Sequence, residues 1–217
     1  MKTLIVSDVH LYHVFDERKF LYLKNLFSSV DQIVLNGDFW DAHRTTFEVF
    51  VSSPWKNLFP LLKRKNTVYV YGNHDKKEYG DDRVSLFSAE QKESHILIVG
   101  EQKYHIEHGH LHQDMMNVFN SLSRNTLFYI SNIGQRVEHM LNIIGSPHRT
   151  FLRKENGKIK NKLQITQSTY WYLCGHTHYE EIDEKNKFAN SGFIQFGKAS
   201  YLIIDSSGLS LKTERYK

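Results

Sequence analysis

Cysteine is almost missing from this chain, and proline is scarce. The 217 residues include one cysteine, Cys174, and three prolines. A single cysteine cannot form a disulfide within the chain, so a disulfide-stapled scaffold is excluded and a reducing compartment fits. No uncharged apolar stretch approaches the roughly 18 residues that a membrane-spanning helix needs. The first apolar run stops at Ser7 and is too short for a secretory signal. We therefore expect a cytoplasmic protein and leave peripheral contact with a membrane surface open.

A strong excess of one charge is missing as well. The formal net charge is +4 and the pI is about 9.0. This mild basicity favours anionic partners such as phosphates, nucleic acid or acidic lipid, although many soluble proteins are equally basic. With 40% apolar and 24% charged residues, the composition is that of a soluble globular protein rather than a disordered one. The length suits one domain, residues 1–217, with a sizeable core.

Short apolar segments rich in β-branched and aromatic residues predict strands. They are Leu4–Val6, Ile33–Leu35, Val68–Tyr71, Ile96–Val99, Tyr104–Ile106 and Tyr170–Leu173. Apolar residues at helical spacing predict a helix over Glu17–Val30. Ser53-Pro54 predicts the start of another helix that runs through Leu62, although Pro60 argues against its regularity. This alternation predicts an α/β core with right-handed crossovers.

Two later regions have a different character. Three segments alternate with glycine and serine turns and predict an antiparallel meander that completes a second sheet. They are Lys187–Phe196, Ser200–Ile204 and Leu209–Glu214. Between them and the earlier strands, residues 111–169 carry an apolar half at the spacing of two amphipathic helices and then a basic half with Gly157 in a turn. We interpret residues 111–169 as an inserted helical and basic cap.

Histidine and aspartate recur in five short motifs that each follow an apolar run. The motifs are Asp8-Val9-His10, Gly37-Asp38, Gly72-Asn73-His74-Asp75, His108-Gly109-His110 and Gly175-His176-Thr177-His178. Ligands of open α/β sheets bind beyond the carboxyl ends of the strands, so these side chains are expected to meet there. On an extended backbone, Asp8 and His10 would point to one side and toward one ion. Mixed carboxylate and imidazole ligands suit Mn, Fe or Zn better than Ca.

In this order, the five motifs resemble those of the calcineurin-like metallophosphoesterase family. The resemblance implies an α/β fold, a two-sheet β-sandwich flanked by helices, and two divalent metal ions. One ion would be held by Asp8, His10, Asp38 and His178, and the other by Asp38, Asn73, His108 and His176. Asp38 would thus bridge ions that lie roughly 3.5–4 Å apart. His110 and His112 remain alternatives to His108 as the ligand.

Two further residues match positions that the family uses for catalysis. His74 matches a histidine that contacts the phosphate and protonates the leaving oxygen, a role that suits an imidazole titrating near neutrality. Asp41 matches an aspartate that orients this histidine in some members; a structural His74 and a helix-terminal Asp41 are the alternatives. Because two dications acidify a shared water, the resemblance implies hydrolysis of a phosphodiester or pyrophosphate by a metal-bridging hydroxide. Mn is the first choice of metal, with Fe, Zn or Ni as alternatives.

The substrate is the least constrained part of this interpretation. The run Gly37–Asp41 and the 111–169 insert resemble the branch of UDP-2,3-diacylglucosamine hydrolases, which implies a UDP-sugar-lipid substrate. Typical members of that branch have arginine where this chain has His74. The basic stretch from Arg149 to Lys162 instead favours a nucleotide or nucleic-acid phosphodiesterase or nuclease. Candidate substrate contacts are Arg44, His110, Arg149 and Arg153.

Two further alternatives differ in activity. A phosphomonoesterase, such as a protein phosphatase, is disfavoured because the arginine expected after the second aspartate is replaced by Ala42. A non-catalytic scaffold is the alternative of another class, since a retromer subunit with this fold has lost catalysis. Such relatives generally lack the full histidine set, which this chain retains.

Overall fold

The computed structural model describes residues 1–112, 146–163 and 169–216, together with residues 126, 128–131, 133, 134, 137 and 140. Strands and helices alternate in its first part, and strands dominate after residue 170. The strands are β1 (Thr3–Val6), β2 (Gln32–Asn36), β3 (Val68–Val70), β4 (Glu90–Lys92), β5 (Ser94–Val99), β6 (Gln102–Glu107), β7 (Trp171–Cys174), β8 (Glu181–Asp183), β9 (Phe188–Asn190), β10 (Ile194–Gln195), β11 (Lys198–Asp205) and β12 (Gly208–Arg215). The α-helices whose two ends lie within the described residues are α1 (Glu17–Ser28), α2 (Phe47–Ser52), α3 (Phe59–Arg64) and α4 (Ser146–Lys162).

The described strands form two sheets. The first has the order β10-β11-β1-β2-β3-β4, with β12 paired to β11. Within it, β1 to β4 run parallel, whereas β11 is antiparallel to β1. The second has the order β5-β6-β7-β9-β8, in which β6, β7 and β9 run parallel. The mixed α/β fold with two sheets and flanking helices is therefore the one expected from the sequence.

The C-terminal meander differs from its prediction in the sheet that it joins. β10, β11 and β12 are antiparallel neighbours as expected, but they extend the first sheet, because β11 pairs with β1 through Leu4 and Ile203. Only β9, from the start of the predicted region, enters the second sheet. The pairing buries Leu202 and Ile204 between the two sheets. This burial stabilises the pairing, and the local sequence pattern does not reveal it.

Alternation along β1 shows how the layers are built. Leu4 and Val6 face a core shared with the helices, while Ile5 faces the other sheet. Successive side chains of a strand point to opposite faces, so a strand buried on both sides is continuously apolar. Removing each such side chain from water stabilises the fold by about 1.5–3 kcal/mol. The carboxyl ends of the strands, with their polar motifs, are left to form the site.

The helices begin and end for identifiable reasons. Asp16 caps α1, because its Oδ1 accepts the backbone N–H of Lys19 at 3.2 Å. The helix predicted from Ser53 is instead a 3₁₀ turn over Pro54–Leu58 followed by α3. Ser53 does not cap it, since its hydroxyl donates back to the Phe50 carbonyl at 2.6 Å. Pro60 lies in the first turn of α3, where no N–H is required.

One helix of the 111–169 segment is described over its full length. α4 packs on the outer face of the second sheet, where Ile159 joins Tyr172, Cys174 and Phe188. Gly157 lies inside α4 rather than in the predicted turn. The described positions from 126 to 140 are helical, and Ile133 among them is 62% exposed. Much of the apolar half that the sequence predicts for the 111–169 segment lies outside the described residues. Among the helices described, none has the length and apolar character to cross a membrane.

Candidate metal centre

The motif side chains gather where the strands of both sheets end. Asp8 and His10 follow β1, Asp38 follows β2, and Asn73 follows β3; all three strands are parallel. His108 follows β6 and His176 and His178 follow β7 in the second sheet. The two sets are joined directly, because Asn36 Nδ2 donates to the Glu107 carbonyl at 3.0 Å. Parallel strands in both sheets thus deliver their carboxyl ends to one place.

Most of the predicted ligands have a left-handed backbone. Positive φ values are found at Asp8 (53°), His10 (49°), Asp38 (54°), His176 (66°) and His178 (57°). L-residues adopt this conformation rarely and at a cost of about 1–2 kcal/mol each. The backbone at Asp8 and His10 is therefore not extended, as the expected geometry required, although the two side chains still converge. The chain turns sharply instead, and His10 N donates to the Asp38 carbonyl at 2.8 Å.

Two glycines permit this close approach of loops. A Cβ at Gly72 would lie 2.2 Å from Asp38 Oδ1, and one at Gly175 would lie 2.5 Å from Asp8 Oδ2. Both distances are far below van der Waals contact. The glycines of the GNHD and GHTH motifs are therefore required for space beside the Asp38 and Asp8 carboxylates.

The first group of donor atoms surrounds Asp8. Its Oδ1 lies 3.1 Å from His178 Nε2 and 3.9 Å from His10 Nε2. His10 Nε2 is also 3.7 Å from Asp38 Oδ2. Asp8, His10 and His178 can offer one atom each to a single cation.

The second group surrounds His108. Its Nε2 lies 3.3 Å from Asp38 Oδ2 and 3.1 Å from Asn73 Oδ1. Its Nδ1 is 2.9 Å from the Asn36 carbonyl and donates to it, so Nε2 is the nitrogen that would bind a metal, with loss of its proton. The His176 ring is 5.2 Å from the His108 ring between centroids. Asp38 Oδ2 consequently lies between the two groups.

These residues fit a pair of divalent ions. Asp8 Oδ1 and His10 Nε2 are buried and form no hydrogen bond with the described residues. Other nitrogen and oxygen atoms that could bind a metal lie close by. Leaving such an atom unsatisfied costs about 1–3 kcal/mol, which a cation would offset. The mixed carboxylate, amide and imidazole set suits Mn, Fe or Zn.

The charges also favour a cation at this position. Burial opposes a positive charge on His108, yet Asp38 and Asp8 raise its pKa to about 10. Burial likewise opposes ionisation of Asp8, but His178 and His108 lower its pKa to about 2. The carboxylates thus stay ionised and concentrate negative potential in a dry site, where Coulomb interactions are strong.

His74 and Asp41 form a pair beside the first group. Asp41 Oδ1 lies 2.9 Å from His74 Nδ1, and its Oδ2 lies 3.5 Å from His10 Nδ1. The His74 side chain is 22% exposed, while Asp41 is enclosed. Burial opposes the charge on His74, but Asp41 and Asp38 raise its pKa to about 9. His10, Asp41 and His74 also form a third set that could hold a metal.

The four candidate substrate contacts are distributed unevenly. The Arg44 guanidinium stacks 3.5 Å above the Tyr12 ring, beside His10. The His110 ring lies 5.5 Å from that of His108. Arg149 pairs with Glu180 at 2.8 Å and covers the Tyr179 ring, next to the last motif. Arg153 is exposed on α4.

The sequence analysis assigned no role to three other residues of the site. Asp75 accepts three backbone N–H groups, from Gly72 at 2.7 Å, Asp38 at 3.0 Å and Phe39 at 2.7 Å. It therefore ties the β2 loop to the β3 loop. Its place in the GNHD motif was the available signal. His43, which has no motif around it, lies with its ring 4.1 Å from that of His74.

Asn156 is the third such residue and comes from α4. It is fully buried, and its Oδ1 accepts the Thr177 hydroxyl at 2.6 Å and Asn190 Nδ2 at 3.0 Å. Asn190 Nδ2 also lies 2.8 Å from the Gly175 carbonyl. This network holds the Gly175–His178 loop from behind, and nothing in the basic stretch around residue 156 predicts it.

Comparison with known proteins identifies the family. A model described as the calcineurin-like phosphoesterase superfamily domain matches residues 1–207. The chain belongs to the calcineurin-like phosphoesterase superfamily. This assignment supports a hydrolase that acts on phosphoesters with the help of metal ions. It is made at the level of the superfamily, so the UDP-2,3-diacylglucosamine hydrolase branch remains a hypothesis.

Solved structures of similar fold have low sequence identity to this phosphoesterase. An archaeal phosphodiesterase is 18% identical, with a TM-score of 0.52 and 99% of both chains covered. YfcE, a phosphoesterase from E. coli, is 16% identical, with a TM-score of 0.49 and full coverage of both chains. Vps29 from Entamoeba histolytica, complexed with zinc, is 15% identical, with a TM-score of 0.47 and coverage of 99% and 98%. No curated protein matches the chain significantly. At such identities, structural likeness shows the fold alone.

Proposed function

We propose that this calcineurin-like phosphoesterase hydrolyses a phosphodiester or pyrophosphate bond with two divalent ions, of which Mn²⁺ is the first choice. The observation that supports this most directly is the position of Asp38 Oδ2, 3.7 Å from His10 Nε2 and 3.3 Å from His108 Nε2. A carboxylate between two imidazole groups is suited to bridge two ions. One ion would be held by Asp8, His10, Asp38 and His178, and the other by Asp38, Asn73, His108 and His176.

The ions and the protein supply different parts of the chemistry. When bound, two divalent ions would supply a nucleophile at neutral pH and offset the charge on the phosphoryl oxygens. His74 holds a proton for the leaving oxygen, since its Nδ1 is engaged by Asp41 and its other ring nitrogen is left for the substrate. Asp41, ionised and enclosed, stabilises the imidazolium and fixes its orientation. His43 stays neutral beside it, because burial and the charge of His74 lower its pKa to about 4.

Hydrolysis of bis-p-nitrophenyl phosphate tests this proposal. The full chain is stripped of metal and assayed with and without Mn²⁺, beside His74→Ala and a control, His13→Ala, at an exposed histidine outside the site. We expect turnover that depends on Mn²⁺ and falls by about 10²-fold or more in His74→Ala, the usual contribution of a general acid. Metal content should be the same in the wild type and both variants.

Three results would contradict parts of the proposal. Loss of metal in His74→Ala would make His74 a ligand of the His10–Asp41–His74 set rather than an acid. Equal loss of activity in the control would show that the effect is not specific to His74. No turnover with Mn²⁺, Fe²⁺, Zn²⁺ or Ni²⁺ bound would refute the hydrolase and favour a binding role on the same fold.

A further inference from the structure

A cavity of about 230 Å³ opens next to the candidate metal centre. His10 belongs to both, since its ring faces Asp8 and Asp38 and the residue also lines the cavity. Much of the remaining wall is aromatic, with Tyr12, Trp55, Phe196 and Tyr216. The volume is below the roughly 300–1,000 Å³ of pockets that enclose a drug-sized ligand. The cavity therefore suits one ring of a substrate whose phosphate lies at the metal centre.

Phe196 stands in this wall at a position that disfavours phenylalanine. Gln195 pairs with Lys198, so Phe196 and Gly197 form the two-residue connection from β10 to β11. Their φ values are +54° and +75°, as in a type I′ hairpin, where asparagine, aspartate or glycine is preferred at the first position. A bulky residue in the left-handed region is strained, and such strain concentrates at functional sites.

Packing in the core does not account for this phenylalanine. Phe196 is only partly buried, and it is not a member of any of the three hydrophobic clusters that the described residues form. Its ring lies 6.4 Å from that of Phe193, and the residue lines the cavity, as His10 does. A contact with a bound ring would be a reason to keep phenylalanine in the turn.

Polar groups at the cavity can recognise heteroatoms. Gln195 lines the cavity and is 5% exposed, and its Nε2 has no hydrogen-bond partner among the described residues. A ligand that brings an acceptor to this amide would relieve the cost of an unpaired buried donor. On another side, Arg44 already stacks on Tyr12, which forms a flat cationic surface for an aromatic ring.

We propose that this cavity is a subsite for a flat heteroaromatic ring, of the size of a nucleobase, carried by one ester group of the phosphate. Phe196 and the Arg44 guanidinium that lies on Tyr12 provide faces for stacking, and the Gln195 amide provides a hydrogen bond to the ring edge. The subsite rests on the proposed function, because the ring is positioned by a phosphate bound at the metal centre. It deepens that function by naming the class of ester group.

Two diesters with the same leaving group test the subsite. Thymidine 5′-(p-nitrophenyl) phosphate carries a base, whereas methyl p-nitrophenyl phosphate has none, and both release p-nitrophenolate. We expect the Mn²⁺-loaded chain to prefer the thymidine ester by about tenfold or more in kcat/KM, as one stacked base commonly contributes. Phe196→Asn should reduce this preference while raising the melting temperature, because asparagine suits the type I′ turn.

A control variant distinguishes loss of the subsite from relief of backbone strain. A binding measurement distinguishes it from a change in hydrolysis. Lys187 also has a positive φ, +47°, but does not line the cavity; Lys187→Asn should leave the preference unchanged. Thymidine binding to the metal-free chain, followed by NMR line shifts, should weaken in Phe196→Asn. Equal kcat/KM values for the two esters would overturn the subsite and leave the hydrolase standing. Hydrolysis of neither ester would refute the hydrolase, and thymidine binding would then decide the subsite by itself.

Discussion

Lys19 is a lysine whose amino group is enclosed by the protein. The residue is 8% exposed, and its Nζ donates to the Val9 carbonyl at 2.5 Å, between the candidate ligands Asp8 and His10. Burial lowers its pKa to about 7, despite the opposing effect of Asp16. Near neutral pH, the folded protein therefore binds this proton less tightly than the unfolded chain does.

This lowered pKa predicts a pH dependence of stability. Between pH 7 and 10 the unfolded chain keeps the Lys19 proton and the folded protein has lost it, so the free energy of unfolding rises with pH. The slope approaches about 1.4 kcal/mol per pH unit, the value for one proton. Urea unfolding of the metal-free chain at pH 7, 8 and 9 measures it against Lys19→Met. We expect the free energy of unfolding of the wild type, relative to that of Lys19→Met, to increase with pH. A difference that does not change with pH would show that the amine stays charged.

At the residue scale, candidate ligands could be chosen from the sequence, whereas the residues that support them could not. The ordered motifs nominate Asp8, Asp38 and His108 because a metal needs such donors, and the structure brings the three residues close together. Asp75 is the contrasting case, since it accepts three backbone N–H groups instead of facing the metal centre. An aspartate bound to backbone groups looks the same in a sequence as one bound to solvent or to an ion.

At the element scale, α4 supports the last histidine motif. Asn156 on its buried side reaches the Thr177 hydroxyl and Asn190, and Asn190 holds the Gly175 carbonyl. The loop that carries His176 and His178 in left-handed conformations rests on this network. The geometry of two candidate metal ligands therefore depends on a helix that contributes no candidate ligand itself.

This dependence predicts the effect of Asn156→Leu. The change keeps the volume of the side chain but removes the oxygen that accepts from both Thr177 and Asn190. We expect metal affinity to fall by about 10–100-fold, as for other residues that orient ligands. Isothermal titration with Mn²⁺ measures it. The adjacent Gly157→Ala is the matched control: a Cβ there meets nothing within 4 Å, and alanine should add about 0.5–1 kcal/mol of stability without changing affinity. Equal affinity in Asn156→Leu and wild type would mean that the loop holds its shape without α4.

Elements were predictable where local pattern decides them. The apolar runs of β1, β2 and β7 and the Asp16-capped α1 follow from residue type and spacing. By contrast, the sheet that β11 joins depends on its contact with β1, which is distant in sequence. The left-handed turns at Asp8 and Asp38 could not be predicted from the sequence either, because contacts with loops from other strands hold the backbone in this strained conformation. Gly157 was misassigned because a helix supported by sheet contacts tolerates a glycine.

At the scale of the whole molecule, the candidate metal centre lies across the two sheets. Asp8 and Asp38 come from the first sheet and His108 and His178 from the second. Each ion would therefore bind residues of both layers. Fold and superfamily could be predicted from the ordered motifs alone, because five motifs on parallel strands fit few architectures. The packing of the insert could not, since its basic half has no pattern that marks Ile159 as buried.

A clamp across both sheets predicts that metal stabilises the entire fold. A ligand at about 100 times its Kd adds about 2.7 kcal/mol, which for a chain of this size raises the melting temperature by about 5–10 °C. We expect that rise when Mn²⁺ is added to the stripped chain in a calorimeter. Asp8→Asn keeps the shape of the side chain but removes the charge from the group of Asp8, His10 and His178. The rise in melting temperature should therefore be much smaller in this variant. Asp82→Asn, at an exposed carboxylate, controls for the lost charge and should retain the full rise. A rise as large in Asp8→Asn as in the wild type would place the stabilising cation away from Asp8 and argue against a clamp between the sheets.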